Sequence, residues 1–217
     1  MENRPPIALA GEQADQAAFL QPTLVLEATV YNLEQLRQAT LSAPQLALAG
    51  RSNVGKSSLL NALGKRKSLA KVSSTPGKTR SVNLFKVEPY GFCLTDLPGY
   101  GYARRSKNER LVWGTLTEKY LSETEMLRGV VLLLDCRIPP QESDLLMADF
   151  ARAKRLPVLP VLTKADKCSQ RERAQRQKDW SLLLRDKTPL PVSAKTGLGL
   201  TSLWELLLRQ AMPHLGT

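Results

Sequence analysis

The run Gly50-Arg51-Ser52-Asn53-Val54-Gly55-Lys56-Ser57 is a G-x-x-x-x-G-K-S string. It lies between the apolar segment Leu46-Ala47-Leu48-Ala49 and the helix-like Ser58-Leu59-Leu60-Asn61-Ala62-Leu63. In a strand-to-helix setting this spacing is a phosphate-binding loop. Its glycines let successive N–H groups curl toward phosphate oxygens, and the helix that follows adds its positive dipole end. Lys56 is placed to reach the β- and γ-phosphates, and the Ser57 hydroxyl to sit on Mg²⁺. The chemistry implied is binding of a nucleoside triphosphate.

The base is addressed further along the chain. The buried-strand run Leu156-Pro157-Val158-Leu159-Pro160-Val161-Leu162 ends in Thr163-Lys164-Ala165-Asp166. The Asp166 carboxylate can accept from both the ring N1–H and the exocyclic amino group of guanine, as a charge-assisted bidentate pair. Adenine offers neither donor there, and an unmet site of this kind discriminates on the order of 10⁴-fold. The Lys164 stem is expected to lie along the base and pack on the phosphate loop. Val192-Ser193-Ala194, before Lys195, closes another short apolar run and is expected to offer a backbone N–H to the guanine O6. Singly these strings are weak, but in this order after a phosphate loop they are strong.

Between them, Phe92-Cys93-Leu94-Thr95 leads into Asp96-Leu97-Pro98-Gly99. Asp96 is expected to hold Mg²⁺ through water, and the Gly99 N–H to bond the γ-phosphate. The hydroxyl-, Pro-, Gly- and cation-rich stretch 71–80 has the composition of a mobile loop. Thr79 is the candidate second hydroxyl on Mg²⁺, with Thr75 its competitor. Gly77, Lys78, Arg80 and Ser81 flank Thr79 as nucleotide contacts. The set expected to act on the γ-phosphate is Lys56, Asn53, Gly99 and Thr79, and the metal set is Ser57, Thr79 and Asp96.

The strings GRSNVGKSSLLNAL, STPGKTRSVNLF, DLPGYGYA and TKAD together resemble the EngB (YsxC, YihA) family of bacterial GTPases, from about Leu26 to the C-terminus. The resemblance implies a P-loop GTPase fold, GTP and GDP as ligands with Mg²⁺, and work in assembly of the large (50S) ribosomal subunit. It also carries an association with cell division and septation, which nothing in these residues explains.

Many GTPases place a glutamine directly after DxxG to orient the attacking water. Here Tyr100 stands in that place, and a phenol is a poor substitute. Intrinsic hydrolysis is therefore expected to be slow. Asn53 admits two readings: a K⁺ ligand that supplies part of the missing charge, or a residue that only stabilises the loop turn.

At 217 residues and +11 net charge the chain is strongly basic. Lys65, Arg66, Lys67, Lys71, Lys78 and Arg80 cluster at the first switch, and Arg104, Arg105, Lys107 and Arg110 follow the second. Clusters beside segments that respond to nucleotide suit a polyanion partner such as structured rRNA. A third group on the helices around TKAD (Arg152, Lys154, Arg155, Arg171, Arg173, Arg176 and Lys178) reads as a solvated face. Trp113, Trp180 and Trp204 read as core, while Tyr100 and Tyr102 divide between local packing and partner contact. Three scattered cysteines match no metal or redox spacing and fit a reducing cytoplasm. With no leader-like start and no long apolar run, the chain is expected neither to be exported nor to span a membrane.

The expected architecture is an α/β P-loop GTPase fold: a doubly wound, mixed, mostly parallel six-stranded sheet with helices on both faces. A flexible segment (1–23) precedes a single domain (24–217), expected to act as a monomer whose partner is the large ribosomal subunit, through rRNA and ribosomal proteins. Two rivals stand beside a slow GTPase switch: a small-molecule kinase, indifferent to guanine over adenine, and a basic rRNA-binding module that holds GTP or GDP without turning it over. If Asn53 serves K⁺, hydrolysis runs faster in KCl than in NaCl and Asn53→Ala removes the difference. Equal rates in the two salts leave the turn role.

Overall fold

The computed structural model describes residues 21–39, 43–66, 69–70, 81–101, 115–185 and 187–213. In chain order the elements are β1 (Thr23–Val30), α1 (Leu33–Ala39), β2 (Gln45–Gly50), α2 (Lys56–Leu63), β3 (Val82–Glu88) and β4 (Phe92–Asp96). Then come α3 (Thr115–Glu123), β5 (Leu127–Asp135), α4 (Glu142–Ala153), β6 (Val158–Thr163), α5 (Gln170–Leu183), β7 (Leu190–Pro191) and α6 (Leu200–Ala211). A single 3₁₀ turn, Ala165–Lys167, separates β6 from α5.

Strands with apolar residues on both faces form the centre of the sheet, as buried parallel strands require. Every residue of β2, β4 and β6 is buried. The order is β1-β3-β4-β2-β5-β6-β7, with β2 parallel to both β4 and β5. Alternate residues of β2 serve opposite layers: Leu46 and Leu48 pack with α2 and α6, while Ala47 and Ala49 face α1, α3, α4 and α5. Trp180 and Trp204 are buried in these two layers, in line with their core reading. Trp113 lies outside the described residues.

Among the described residues the sheet has seven strands, not the expected six. Its two edges are the elements hardest to count from sequence. β1 alternates poorly because much of it is exposed, and β7 is two residues long and ends in Pro191. β3 and β4 form a hairpin that makes the sheet mixed, and the antiparallel strand β3 is not at the edge. β1 pairs antiparallel with β3 and covers it. Residues 1–20 of the expected flexible segment lie outside the described residues, and Thr23 already belongs to β1. No helix among the described residues is long and apolar enough to cross a membrane.

This order places the carboxyl ends of β2, β4, β5 and β6 side by side, so that the loops leaving them share one rim. Close approach at that rim is strict. A Cβ at Gly50 would lie 2.8 Å from Val54 Cγ1 and 3.0 Å from the Leu133 carbonyl oxygen. Gly50→Ala should therefore cost about 1–3 kcal/mol in a urea unfolding experiment.

Candidate functional site

The phosphate loop is shaped by two backbones in the left-handed region, Asn53 (φ 63) and Gly55 (φ 111). Gly55 then opens α2 without a side-chain cap, and the first turn of the helix holds no acidic residue. Its unclaimed N–H groups and dipole end suit an anion. Thr163 ties this loop to β6, since its hydroxyl lies 2.7 Å from the Val54 carbonyl oxygen. The loop is also joined to the stretch after β4. Ser52 N–H donates to the Tyr100 carbonyl at 2.9 Å, and Ser52 Oγ donates to the Gly99 carbonyl at 3.2 Å. A Cβ at Gly99 would meet the Ser52 Cα at 2.9 Å, so only glycine allows this approach.

Two opposite charges sit at this junction with their needs unmet. Lys56 Nζ donates to the Gly50 carbonyl at 3.2 Å, and burial lowers its pKa against the pull of Asp96. Burial likewise pushes the Asp96 carboxyl up to about 6, with Lys56 offsetting only part of that rise. Asp96 Oδ1 is buried with no hydrogen-bond partner among the described residues. An orphaned carboxylate oxygen beside a loop built for phosphate fits a hard divalent cation, which takes oxygen donors. Asp96 and Ser57 would hold Mg²⁺, and the ion would neutralise charge on the phosphate oxygens.

At the other end of the rim the TKAD tetrad is held by several independent bonds. Lys164 adopts the left-handed conformation (φ 57). Its ammonium donates to the Asn53 carbonyl at 2.6 Å and to Asp135 Oδ2 at 2.8 Å, so its stem packs across the phosphate loop. Ala165 N–H donates to the Val192 carbonyl at 3.0 Å, joining this turn to the segment after β7. Ser193 Oγ donates to Asp166 Oδ1 at 2.7 Å and accepts from the Lys195 and Thr196 N–H groups. The hydrogen bond from Ser193 holds the Asp166 carboxyl below the usual carboxylate range, so it is ionised at neutral pH. Gly55, Lys164, Asp166, Val192 and Ala194 line one cavity of ≈ 540 Å³.

The structure thus brings residues 50–57, Asp96 to Gly99, Thr163 to Asp166 and Val192 to Ala194 to one rim. Leu97 is buried beneath it and Pro98 follows at its edge. Ser81 is buried just before β3, whereas Gly77, Lys78, Thr79, Arg80 and the competitor Thr75 lie outside the described residues. Sequence reasoning assigned no role to Asp135. Burial raises its carboxyl, but hydrogen bonds from Arg137 and Lys164 outweigh that and hold it down at about 2. An acidic residue ending a long apolar strand run was the available signal. Tyr100 is buried, in line with the packing reading, while Tyr102 lies outside the described residues. Among the described residues Cys93, Cys136 and Cys168 are free thiols.

A mixed α/β sheet whose strand ends carry a phosphate loop, an Asp-x-x-Gly turn and a TKAD tetrad defines a P-loop GTPase. A family model described as 50S ribosome-binding GTPase matches residues 45–164. The chain belongs to the EngB family of GTP-binding proteins. It is 59% identical over 188 residues to a probable GTP-binding protein EngB of Nitratidesulfovibrio vulgaris, covering 87% of this chain and 86% of that one. A Thermotoga maritima protein of the same description is 46% identical, with 75% and 84% covered. Among solved structures, a probable GTP-binding protein engB shares the fold with TM-score 0.62 at 22% identity, over 77% of this chain and 98% of that one. Aquifex aeolicus Era bound to GDP.AlF4⁻ shares it with TM-score 0.61 at 23% identity, over 79% and 57%.

The raised carboxyl of Asp96 has a consequence of definite sign. With a native value of about 6 against about 4 unfolded, the native state binds this proton more tightly. Stability of the metal- and nucleotide-free protein should therefore fall as pH rises between those values, by about 3 kcal/mol, and level off above them. Asp96→Asn should remove the Asp96 share of this slope, leaving that of the similarly raised Asp144, stabilise the free protein at pH 7 and abolish the Mg²⁺-dependent part of GTP binding. Denaturant unfolding of both proteins at pH 4.5 and 7.5 checks the sign, and a difference independent of pH would contradict it.

Proposed function

We propose that the protein is a slow, Mg²⁺-dependent GTPase whose nucleotide state controls its docking on the large ribosomal subunit during assembly. The observation that carries the reading is the shared rim: a loop shaped for phosphates at one end, an ionised Asp166 at the other, and a cavity at the Asp166 end that reaches Gly55 of the loop. The family contributes GTP binding and, in general, GTP hydrolysis. Low turnover is supported by Tyr100, which stands where a water-orienting glutamine is common and whose ring is buried. The residues that act are those of the rim. Lys56 neutralises phosphate oxygens, the loop and helix N–H groups orient them, and Asp166 selects guanine over adenine.

The ribosomal partner is supported by the family description and by basic residues at the cavity mouth, Lys65 and Arg66 among them. A cytoplasmic monomer acting on rRNA and ribosomal proteins, with a link to cell division and septation, completes the reading. For Asn53, the turn role has direct support in its left-handed backbone and in the bond from Lys164 to its carbonyl. The K⁺ role is the alternative that the salt comparison separates from it.

Co-sedimentation with purified large and small subunits tests the proposal, using nucleotide-free, GDP and non-hydrolysable GTP forms at two salt concentrations. Large-subunit binding confined to the GTP-analogue form, and persisting at moderate salt, is the expected result. Equal, salt-sensitive binding in every form would replace the switch with a basic RNA-binding module.

A further inference from the structure

Tyr100 directly follows the DLPG tetrad, yet its side chain does not face the rim. The ring is 7% exposed and packs in the layer that contains Met147 and Ala148 of α4. Its hydroxyl donates to Asp144 Oδ1 at 2.9 Å. Asp144, in the first turn of α4, is 2% exposed, and its second oxygen lies 3.3 Å from Arg51 Nε. One buried carboxylate on a neighbouring helix thus takes a hydrogen bond from the residue after Gly99 and forms an ion pair with a phosphate-loop side chain.

The main chain makes the same connection independently. Arg51 and Tyr100 form a parallel bridge, Ser52 N–H donates to the Tyr100 carbonyl at 2.9 Å, and Tyr100 N–H donates to the Gly50 carbonyl at 3.4 Å. On the near side, Leu97 N–H donates to the Leu48 carbonyl at 3.2 Å. Pro98 and Gly99 therefore span two anchored points, Leu97 and Tyr100, and Gly99 is pressed onto Ser52 between them.

We propose that Tyr100 and Asp144 are positioning residues that hold the Gly99 peptide against the phosphate loop before nucleotide arrives, and so set affinity for the γ-phosphate without touching it. The proposal rests on the guanine-nucleotide reading given above. A segment already ordered in its bound position loses less freedom on binding, which is where preorganisation gains affinity. Removing the Tyr100 hydroxyl takes away a buried hydrogen bond to a carboxylate and loosens the far anchor, leaving its main-chain bonds to hold it alone. The γ-phosphate must then supply the part of that ordering that the side-chain anchor gave. A nucleoside diphosphate has no group at that position, so its affinity is insensitive to the anchor. The same logic separates this role from a general structural one, in which both nucleotides would suffer together.

The test uses the full chain in three forms: wild type, Tyr100→Phe and Asp144→Asn. Affinities for GDP and for a non-hydrolysable GTP analogue are measured by titration calorimetry in Mg²⁺ buffer. Tyr100→Phe keeps the ring in the core, so it remains a test even if Asp144→Asn does not fold. The expected result is about a tenfold loss for the analogue, with GDP unchanged within about twofold. Equal losses for both nucleotides, or no loss for either, would overturn the proposal. A wild-type protein that binds neither nucleotide would overturn this inference and the guanine-nucleotide reading together.

Discussion

Lys56 and Asp96 are opposite charges withdrawn from water without being fully given to one another. Burial lowers one and raises the other, each against its partner's pull. A buried ion pair is favourable only when its geometry and its remaining hydrogen bonds are nearly complete. Here neither condition is met, because Lys56 leans on the Gly50 carbonyl and Asp96 keeps an orphaned oxygen. The arrangement is costly alone and becomes satisfied when an anion meets the lysine and a cation meets the carboxylate. Much of the fold serves to keep these two groups apart at this spacing. β2 and β4 are parallel neighbours with Leu48 opposite Asp96, so the loop after one strand and the carboxylate ending the other reach the same level.

The positioning is done largely by main-chain contacts that tolerate no side chain. Gly50 lies against Val54 and the Leu133 carbonyl, and Gly99 against the backbone of Ser52. Both glycines belong to motifs that sequence alone identifies. Their packing reason is a three-way approach of β2, β5 and the segment after β4. Thr163 adds a cross-link of the same kind, bringing the guanine end into register with the phosphate end through the Val54 carbonyl.

The local strings were legible because phosphate loops, Asp-x-x-Gly turns and guanine tetrads place their chemistry within a few consecutive residues. The buried runs of β2, β5 and β6 were legible for the same reason: a strand buried on both faces is apolar without interruption. What could not be read was pairing across distance. Asp135 and Lys164 are 29 residues apart, and Tyr100 and Asp144 are 44 apart. Each looks ordinary in its own segment: an acidic strand end, an acidic first helical turn, an aromatic after a turn. Tyr100 was noticed for what it lacks as a catalyst, whereas the structure gives it a definite partner. The sheet edges were missed for a different reason, since β1 is held by its register with β3 more than by its own pattern.

Asp135 and Asp144 show how one sheet supports two ends of different electrostatic completeness. Both carboxylates are almost fully buried, at 7% and 2% exposure, so desolvation alone would raise both. Asp135 takes two hydrogen bonds from the Arg137 guanidinium, one from its N–H and one from Lys164, and is held at about 2. Asp144 takes one hydroxyl and a guanidinium at 3.3 Å, and rises to about 6. Deeper burial of Asp144 and fuller pairing of Asp135 act in the same direction, so the base end is compensated by its own charges while the phosphate end is left undercompensated. Lys56, Asp96 and Asp144 all stand on that undercompensated side. A ligand therefore meets a preset surface at its base and completes an unfinished one at its phosphates.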